Sequence, residues 1–199
     1  MELILVEFFT DIGINLTNLW MNFAHSFHLN FIAEKRYLLI VNGLKFTILL
    51  SICSILLGLI LGCLTNVFRR SRFRILKAIG YIYVDVIRGT PTVTQLLIIN
   101  FVIFASITVD KFWVGVLAFG LNSGAYIAEI IRAGIESVDK GQMEAGRSLG
   151  LSNRETMMFI IFPQAIKNIL PALANEFIVL IKETAIVGYI CLLYTSRCV

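Results

Sequence analysis

Four long apolar stretches, separated by polar segments, dominate the chain from residue 37 onward. Their lengths predict membrane spans at 37–67, 79–109, 112–138 and 164–188, each longer than the roughly 20 residues that a helix needs to cross a bilayer. Because only helices or closed barrels satisfy the backbone inside lipid, and apolar runs of this length indicate helices, the pattern predicts an all-α polytopic membrane protein.

Composition supports this fold class and excludes several others. Of the 199 residues, 58% are hydrophobic and 15% are charged, whereas soluble domains average about 45–50% and about 25%. The net charge is +4. In a membrane protein, an excess of Lys and Arg in cytoplasmic loops explains such a charge better than nucleic-acid binding does. The cysteines show no CxxC spacing, and Cys53 and Cys63 lie in an apolar run, so no metal site is predicted.

Residues 1–36 mix apolar and polar positions and lack the basic start of a signal peptide. Large apolar side chains recur there at helical spacing, at Leu16, Trp20, Phe23 and Phe27. This spacing predicts an amphipathic helix lying in the membrane interface. His25 and His28 show no ligand pattern, and we interpret them as polar residues of the headgroup layer.

The basic segment RRSRFRILK at 69–77 sets the predicted topology, because short loops rich in Lys and Arg stay in the cytoplasm. It contains Arg69, Arg70, Arg72, Arg74 and Lys77 and no acidic residue. The N-terminus is therefore predicted to lie outside. A patch for lipid phosphate or nucleic acid is the alternative interpretation, although orientation alone accounts for the cluster.

Small residues predict where the helices pack closely, since membrane helices approach each other through small side chains. On the first span these residues are Ser51, Ser54, Gly58 and Gly62, and on the third they are Gly120, Gly124 and Ala128. At 100° per residue the third span has a nearly opposite polar face formed by Asn122, Tyr126 and Glu129. This polar face is predicted to look at water, a partner or a substrate.

Proline interrupts two of the predicted spans. Pro91 lacks an N–H and disfavours the helical conformation at Thr90, so the second span is predicted to break or kink there. Two interpretations of the break are open. It either lies at membrane depth and lines a cavity, or it lies at the cytoplasmic interface. The fourth span is predicted to be broken by Pro171.

Two carboxylates lie inside the predicted spans. Glu176 is 13 residues past Pro163, about 20 Å deep in a helix, and such a charge costs roughly 2.5–3.5 kcal/mol to insert. It is therefore predicted to face the bundle interior or an aqueous path. Glu129 lies near the cytoplasmic boundary with Arg132 one turn later, and both an ion-paired and a ligand-contacting role are open.

The polar segment 139–163 is too long and too patterned for a plain turn. Its residues Glu144, Ala145, Gly146, Gly150, Ile160, Phe162 and Pro163 reproduce the EAA-x3-G-x9-I-x-L-P signature, with Gly146 and Phe162 in place of Ala and Leu. The chain therefore resembles permeases of ABC importers. Stretches at 42–51, 88–97, 122–135 and 170–190 resemble the branch that takes up polar amino acids, and the likeness covers residues 36–190.

The resemblance implies a type I importer transmembrane fold (MetI-like), with four of the usual five spans in this chain. It also implies that 139–163 forms a coupling helix that docks into an ATPase subunit. Ala145 and Gly146 would be small to allow close approach, Glu144 would supply charge, and Gly150 would cap the helix. The implied coupling residues are Glu144, Ala145, Gly146, Arg147, Gly150 and Pro163.

The resemblance further implies partners and a location. No nucleotide-binding motif occurs here, so ATP and Mg²⁺ are expected on a separate ATPase chain, and the permease itself is not an enzyme. Other expected partners are a second permease subunit, identical or different, an extracytoplasmic amino-acid-binding protein, and the lipid of a bacterial plasma membrane. Residues 191–199, CLLYTSRCV, match neither the family nor a helix end, and we expect them to be non-native, with the chain a fragment that lacks its last span.

The function predicted from sequence is therefore that of the permease subunit of an ATP-driven importer of polar amino acids. Two alternatives are an ion-coupled secondary transporter that uses Glu176 and Glu129, and a membrane anchor whose loop is a docking site. Acidic residues would favour a cationic substrate group and Arg88 an anionic one, which leaves the amino acid open. The candidate substrate path comprises Glu176, Asn175, Glu129, Tyr126, Gln95, Thr94 and Arg88.

Overall fold

The computed structural model describes residues 17–35, 37–107 and 109–187, and its regular elements in these ranges are all helical. The described chain divides into two compact units, with the boundary between Phe46 and Thr47. The predictions for Leu16 and for the tail at 191–199 fall outside the described residues.

In the first unit, residues 17–27 form helix α1, and its aromatic side chains follow the predicted spacing. The ring centroids of Trp20 and Phe23 are 5.9 Å apart, and those of Phe23 and Phe27 are 6.3 Å apart. All three rings are exposed. The predicted helix is therefore confirmed for residues 17–27, whereas its amphipathic placement at a membrane surface stays a prediction.

The remaining helices follow in chain order. They are a π-helical turn (His28–Ile32) and a 3₁₀ turn (Ala33–Lys35) after α1, then α2 (Tyr37–Arg69), α3 (Arg74–Gly89), α4 (Thr92–Ile98) with a π-helical turn (Ile99–Ile103), α5 (Lys111–Glu136), α6 (Lys140–Ser148), α7 (Asn153–Thr156) with a π-helical turn (Met157–Ile161), and α8 (Phe162–Glu183) with a 3₁₀ turn (Thr184–Ile186). Within the described residues, three helical stretches are long and apolar enough to cross a membrane: Ile40–Arg69, Lys111–Glu136 and Asn153–Ile186. The bent pair of α3 and α4 provides a fourth span if it is counted as one.

Helix α5 is the central helix of the second unit, and glycines bring α2 against it. A Cβ added at Gly58 would lie 3.0 Å from the Cβ of Ser123 and 3.2 Å from the backbone nitrogen of Gly124. One added at Gly62 would lie 2.7 Å from Cγ2 of Ile127. The small face predicted for the first span is therefore confirmed as the surface on which α2 and α5 make close contact.

The apolar core surrounds the same helix. Phe119 of α5 is fully buried and packs in one cluster with Leu50 of α2, Leu96 of α4 and Leu180 of α8. Since each of these helices contributes to one cluster, α5 holds the bundle together, and side chains on its remaining faces are positioned by the same packing.

The second predicted span breaks at Thr90 and Pro91, where α3 and α4 meet at an angle of 108°. Just past the break, Gln95 contacts Asn122 of α5, which is 11 residues from Lys111 and so about 16 Å from the start of that helix. The break therefore lies well inside the length of α5. This position favours the first of the two interpretations, a break at membrane depth.

The fourth span differs from its prediction in two ways. Helix α8 continues through Pro171 without interruption, so the predicted break there was wrong. Pro171 lies on an exposed face of a helix whose other side packs on α5, and this packing keeps the helix continuous despite one lost hydrogen bond. The span also begins earlier than predicted, at Asn153, because the π-helical turn widens the helix before Pro163 and accommodates the proline ring.

Candidate functional site

Helix α6 of the 139–163 loop has well-defined caps at both ends. A side-chain oxygen of Asp139 accepts a hydrogen bond from the backbone N–H of Gly141. At the other end, the N–H of Gly150 bonds to the carbonyl of Arg147, and that of Leu151 bonds to the carbonyl of Gly146. These two bonds form a Schellman motif. Gly150 has a φ of +86°, a conformation that glycine adopts without strain, and its predicted role in ending the helix is confirmed.

The two small residues of the motif lie on different faces of α6. Ala145 is exposed, as are Glu144 and Leu149. Gly146 is buried, and a Cβ added there would lie 2.5 Å from Cγ2 of Thr156 and 2.8 Å from its Oγ1. The small size of Gly146 therefore serves a contact inside the loop, and its expected close approach to an ATPase stays a prediction.

The second half of the loop is a capped helix that leads into α8. Ser152 and Glu155 form a capping box, in which each side chain accepts a hydrogen bond from the other residue's backbone N–H. Arg147 of α6 donates to Oδ1 of Asn153 at 2.5 Å. Since helical structure runs from Asn153 to Ile186, α6 is fixed to the end of a long helical rod, and Pro163 lies exposed within that rod.

A polar seam runs between α4, α5 and α8, formed by Thr92, Gln95, Asn122, Ser123, Glu176 and Glu183. Ser123 donates to Oε1 of Glu176 at 2.7 Å, and both residues are buried. Thr92 lies 3.5 Å from Oε1 of Glu183, at the outer limit of a hydrogen bond. The prediction that Glu176 faces the bundle interior is confirmed for this chain.

Gln95 is fully engaged within the chain at the helix break. Its amide nitrogen donates to the carbonyls of Ile87 at 2.7 Å and Thr90 at 3.1 Å. Its amide oxygen accepts from Nδ2 of Asn122 at 3.1 Å. The side chain thus supplies hydrogen-bond donors to carbonyls that the broken helix leaves without backbone partners, which is a structural role different from the substrate contact predicted for it.

Glu129 lies in an ion cluster with Arg69, Arg88 and Arg132. The carboxylate is 3.0 Å from Nη1 of Arg69, pairs with Arg132 one turn later on α5, and lies 3.9 Å from Nη1 of Arg88. Of the two roles left open by the sequence, the ion-paired one is therefore confirmed. The guanidinium of Arg88 also lies 5.3 Å from the ring centre of Tyr126, within range of a cation–π contact.

The candidate path residues thus fall into separate groups. Arg88, Tyr126 and Glu129 lie together, whereas Glu176 contacts Ser123 elsewhere on α5. Thr94 and Asn175 are exposed and join neither group through a hydrogen bond that the described structure shows. Among the described residues, no group of three His, Cys, Asp or Glu side chains could hold a metal ion.

Sequence reasoning gave no site role to four members of these groups, of which Thr92 lies one residue past Pro91 and carries no signal of its own. Glu183 follows Glu176 by seven residues, which is two helical turns, so the spacing could have placed both on one face. Ser123 is a small polar residue inside an apolar span, which is a weaker signal. Arg69 is one of five basic residues in its segment, and nothing in the sequence indicates which of the five is buried.

Comparison with known proteins connects this geometry to a family. Residues 54–195 match the family described as the inner membrane component of binding-protein-dependent transport systems. The chain belongs to this family. Because the match covers the helix bundle and the capped loop together, the chain is a permease component of an ABC transporter, and its fold and family are those predicted from the sequence.

Three curated relatives illustrate the family. The chain is 45% identical over 153 residues to the arginine transport system permease protein ArtQ of Bacillus subtilis, covering 76% of this chain and 70% of the relative. It is 43% identical over 155 residues to a putative glutamine transport system permease protein of Rickettsia prowazekii, with 77% and 71% covered. It is 45% identical over 149 residues to the L-cystine transport system permease protein TcyB of Bacillus subtilis, with 74% and 64% covered.

Two solved structures share the fold. A crystal structure of an amino acid ABC transporter with histidines superposes with a TM-score of 0.75 at 46% identity, covering 78% of this chain and 73% of that one. An inward-facing MetNI methionine ABC transporter superposes with a TM-score of 0.64 at 19% identity, covering 79% and 77%. The second likeness concerns the fold alone.

Proposed function

We propose that this chain is the permease subunit of an ATP-driven importer of polar amino acids, and that its 139–163 loop couples an ATPase subunit to transport. The observation that carries the proposal is the contact between Gly146 and Thr156, where a Cβ added at Gly146 would lie 2.5 Å from Cγ2 of Thr156. Contact this close leaves little room for α6 to move independently of the rod that becomes α8.

The rod leads from the loop to the polar seam. It contains Thr156, which contacts α6, and Glu176, which contacts Ser123 of α5. A pull on α6 therefore displaces α8 against α5, and the Ser123–Glu176 bond lies at the interface that slides. This is the rigid-body movement that alternating access requires, with ATP-driven closure of the ATPase as its source.

The exposed face of α6 is the surface proposed for the ATPase. It presents the charge of Glu144, the small side chain of Ala145 and the apolar side chain of Leu149, which is 80% exposed. Arg147 lies at the edge of this face, where its bond to Asn153 holds it. A small residue next to an exposed leucine allows a groove on a partner to approach the helix closely.

Charge and the named relatives support the proposed substrate class. The seam carries the carboxylates of Glu176 and Glu183, and Arg88 lies beside the helix break with its guanidinium half-exposed. A zwitterionic amino acid has an ammonium group that could pair with the carboxylates and a carboxylate that could pair with Arg88. Relatives named for arginine, glutamine and cystine transport support this class.

The proposed assembly contains ATPase subunits, a second permease subunit and an extracytoplasmic binding protein, in a bacterial plasma membrane with the N-terminus outside. Dependence on a binding protein is part of the family description. The orientation is proposed from the basic segment at 69–77, which the positive-inside rule assigns to the cytoplasm.

Reconstitution with a cognate ATPase tests the proposal. Ala145→Arg and Leu149→Asp should each abolish co-purification of the ATPase and ATP-dependent amino-acid uptake, because they place charge on the proposed contact face. Lys167→Gln, which changes an exposed charge on α8 outside that face, should leave both intact.

Two results would replace the proposal. If uptake continues without an ATPase and follows a proton or sodium gradient, the chain is an ion-coupled secondary transporter. The buried carboxylate of Glu176 would then be a candidate site for the coupling ion. Binding of an ATPase or enzyme without any substrate movement would show a membrane anchor.

A further inference from the structure

Four exposed cations lie close together where α2 passes into α3. We define the basic patch as Arg70, Arg72, Arg74 and Lys77, all exposed. Among the described residues, none of them forms an ion pair. Asp85 is the first acidic residue of α3, and it is 11 residues past Arg74, about 16 Å along the helix. The patch therefore carries a positive charge that the described part of the chain does not neutralise.

The fifth cation of the same segment behaves differently. Arg69 is buried, pairs with Glu129 at 3.0 Å, and its guanidinium lies 4.5 Å from the ring centre of Tyr81. If the segment only set the membrane orientation, one buried arginine beside four exposed cations would not be needed. Arg69 is bound to Glu129 and Tyr81 within the bundle, whereas the four exposed cations have no such ion pair among the described residues.

An apolar strip on α3 fixes the depth of the patch. At 100° per residue, Ile75, Ile79, Ile82 and Val86 fall within about 60° of one another, and each is between 50% and 76% exposed. The opposite side of the helix packs on the bundle through Gly80 and Val84, which are buried. An exposed apolar strip of this kind on a membrane protein faces acyl chains.

Phe73 lies within the patch and is 73% exposed. Arg72 and Arg74 flank it in sequence, and Ile75 begins the apolar strip. If the aromatic ring and Ile75 lie among acyl chains, the neighbouring guanidinium groups lie at the level of the lipid phosphates. Arginine presents a fork of donors that matches phosphate oxygens.

From these observations we propose that the basic patch is a binding site for the headgroup of an anionic phospholipid in the leaflet next to α3. The occupant is a lipid phosphate and not a free anion, because the apolar strip adjoins the patch and takes up the acyl chains of the same molecule. The site would hold a lipid against the helix that ends at the break.

A tryptophan reporter tests the site in the full chain. Phe73→Trp is introduced together with Trp20→Phe and Trp113→Phe, which removes the two native tryptophans. The protein is reconstituted in phosphatidylcholine containing equal fractions of either brominated phosphatidylglycerol or brominated phosphatidylcholine. We expect phosphatidylglycerol to quench the reporter more strongly, and the excess to disappear as salt rises toward about 0.5 M, where exposed charges are screened.

A matched reporter controls for general lipid contact. A chain that keeps only Trp113, exposed at the other end of the bundle near the start of α5, should be quenched equally by the two lipids. Equal quenching of the Phe73→Trp reporter by both lipids at low salt would overturn the proposal, and this comparison needs no change of charge.

Charge variants then locate the site. Arg72→Gln with Arg74→Gln should lower the preference for phosphatidylglycerol by about five-fold for each cation removed. Lys140→Gln with Arg154→Gln removes two exposed cations outside the patch and should leave the preference unchanged. An unchanged preference in the first pair would contradict the assignment. Loss of the preference on adding the ATPase would also contradict it, since the patch would then belong to a protein interface.

Discussion

At the scale of single residues, Gly146 shows how a motif position can serve its own chain. A Cβ at this position would overlap Cγ2 of Thr156 at 2.5 Å and Oγ1 at 2.8 Å. We predict that Gly146→Ala destabilises the protein by about 1–3 kcal/mol, the usual cost of overpacking. Adding Thr156→Ala, which removes both overlapping atoms, should recover most of this loss, and thermal unfolding of the purified protein measures the coupling.

The control for this cycle is another glycine with free space. A Cβ added at Gly43 meets nothing within 4 Å, so Gly43→Ala should leave the midpoint temperature of thermal unfolding unchanged or raise it slightly. If Gly146→Ala behaves like Gly43→Ala, the contact does not fix α6 to the rod, and the coupling proposed through it loses its support.

Glu176 is the residue on which the proposed substrate path depends most. Glu176→Gln keeps an amide oxygen that can accept from Ser123, now 2.7 Å from the carboxylate, but removes the charge. We predict that uptake kinetics or substrate preference change while ATPase co-purification stays intact. Asp85→Asn, which neutralises an exposed carboxylate on α3, is the control. Unchanged uptake by Glu176→Gln would remove this residue from the path.

At the scale of elements, the helix break depends on one side chain. Gln95 bonds to the carbonyls of Ile87 and Thr90 and accepts from Asn122. We predict that Gln95→Leu costs at least about 1–3 kcal/mol, because it leaves buried polar groups without partners. Thermal unfolding of the purified protein measures the loss.

The neighbouring residue provides the control for the break. Thr94 is exposed on the same helix, and Thr94→Val should shift the midpoint little. If the unfolding midpoint of Gln95→Leu is close to that of Thr94→Val, water or another group forms hydrogen bonds to the carbonyls of Ile87 and Thr90. Gln95 would then not stabilise the helix break.

Element boundaries show what the sequence could predict. Apolar runs predicted the four spans because their lengths exceed what a bilayer requires, and Pro91 predicted the break. Pro171 gave the same local signal but no break, because α8 packs on α5 and Pro171 lies on its exposed side. The 108° bend and its depth could not be predicted, since both depend on contacts with residues distant in sequence, such as Asn122.

The candidate site was predictable to a similar extent. Motif spacing identified the loop and its capping glycine, because both depend on local backbone geometry. It did not show that Ala145 is exposed whereas Gly146 is buried, which depends on how the loop folds back onto Thr156. Glu176 was predicted to be buried from the cost of its charge, whereas its partner Ser123 lies 53 residues away.

At the scale of the whole molecule, the ion cluster joins helices α2, α3 and α5. Glu129 of α5 lies 3.0 Å from Arg69 of α2 and 3.9 Å from Arg88 of α3. Arg69 is buried, whereas Arg132, the partner on α5, is partly exposed. The two pairs should therefore differ in their contribution to stability, because solvent screens the exposed one.

We predict that Glu129→Gln destabilises the protein by about 3–5 kcal/mol, because it leaves the buried charge of Arg69 without a counter-ion. Arg132→Gln should cost about 1 kcal/mol or less, since its charge is accessible to water. The double variant Arg69→Met with Glu129→Leu should recover much of the stability, as apolar replacements of buried pairs often do. Thermal unfolding compares the three, and equal effects of Glu129→Gln and Arg132→Gln would show that α2 is not held to α5 through this pair.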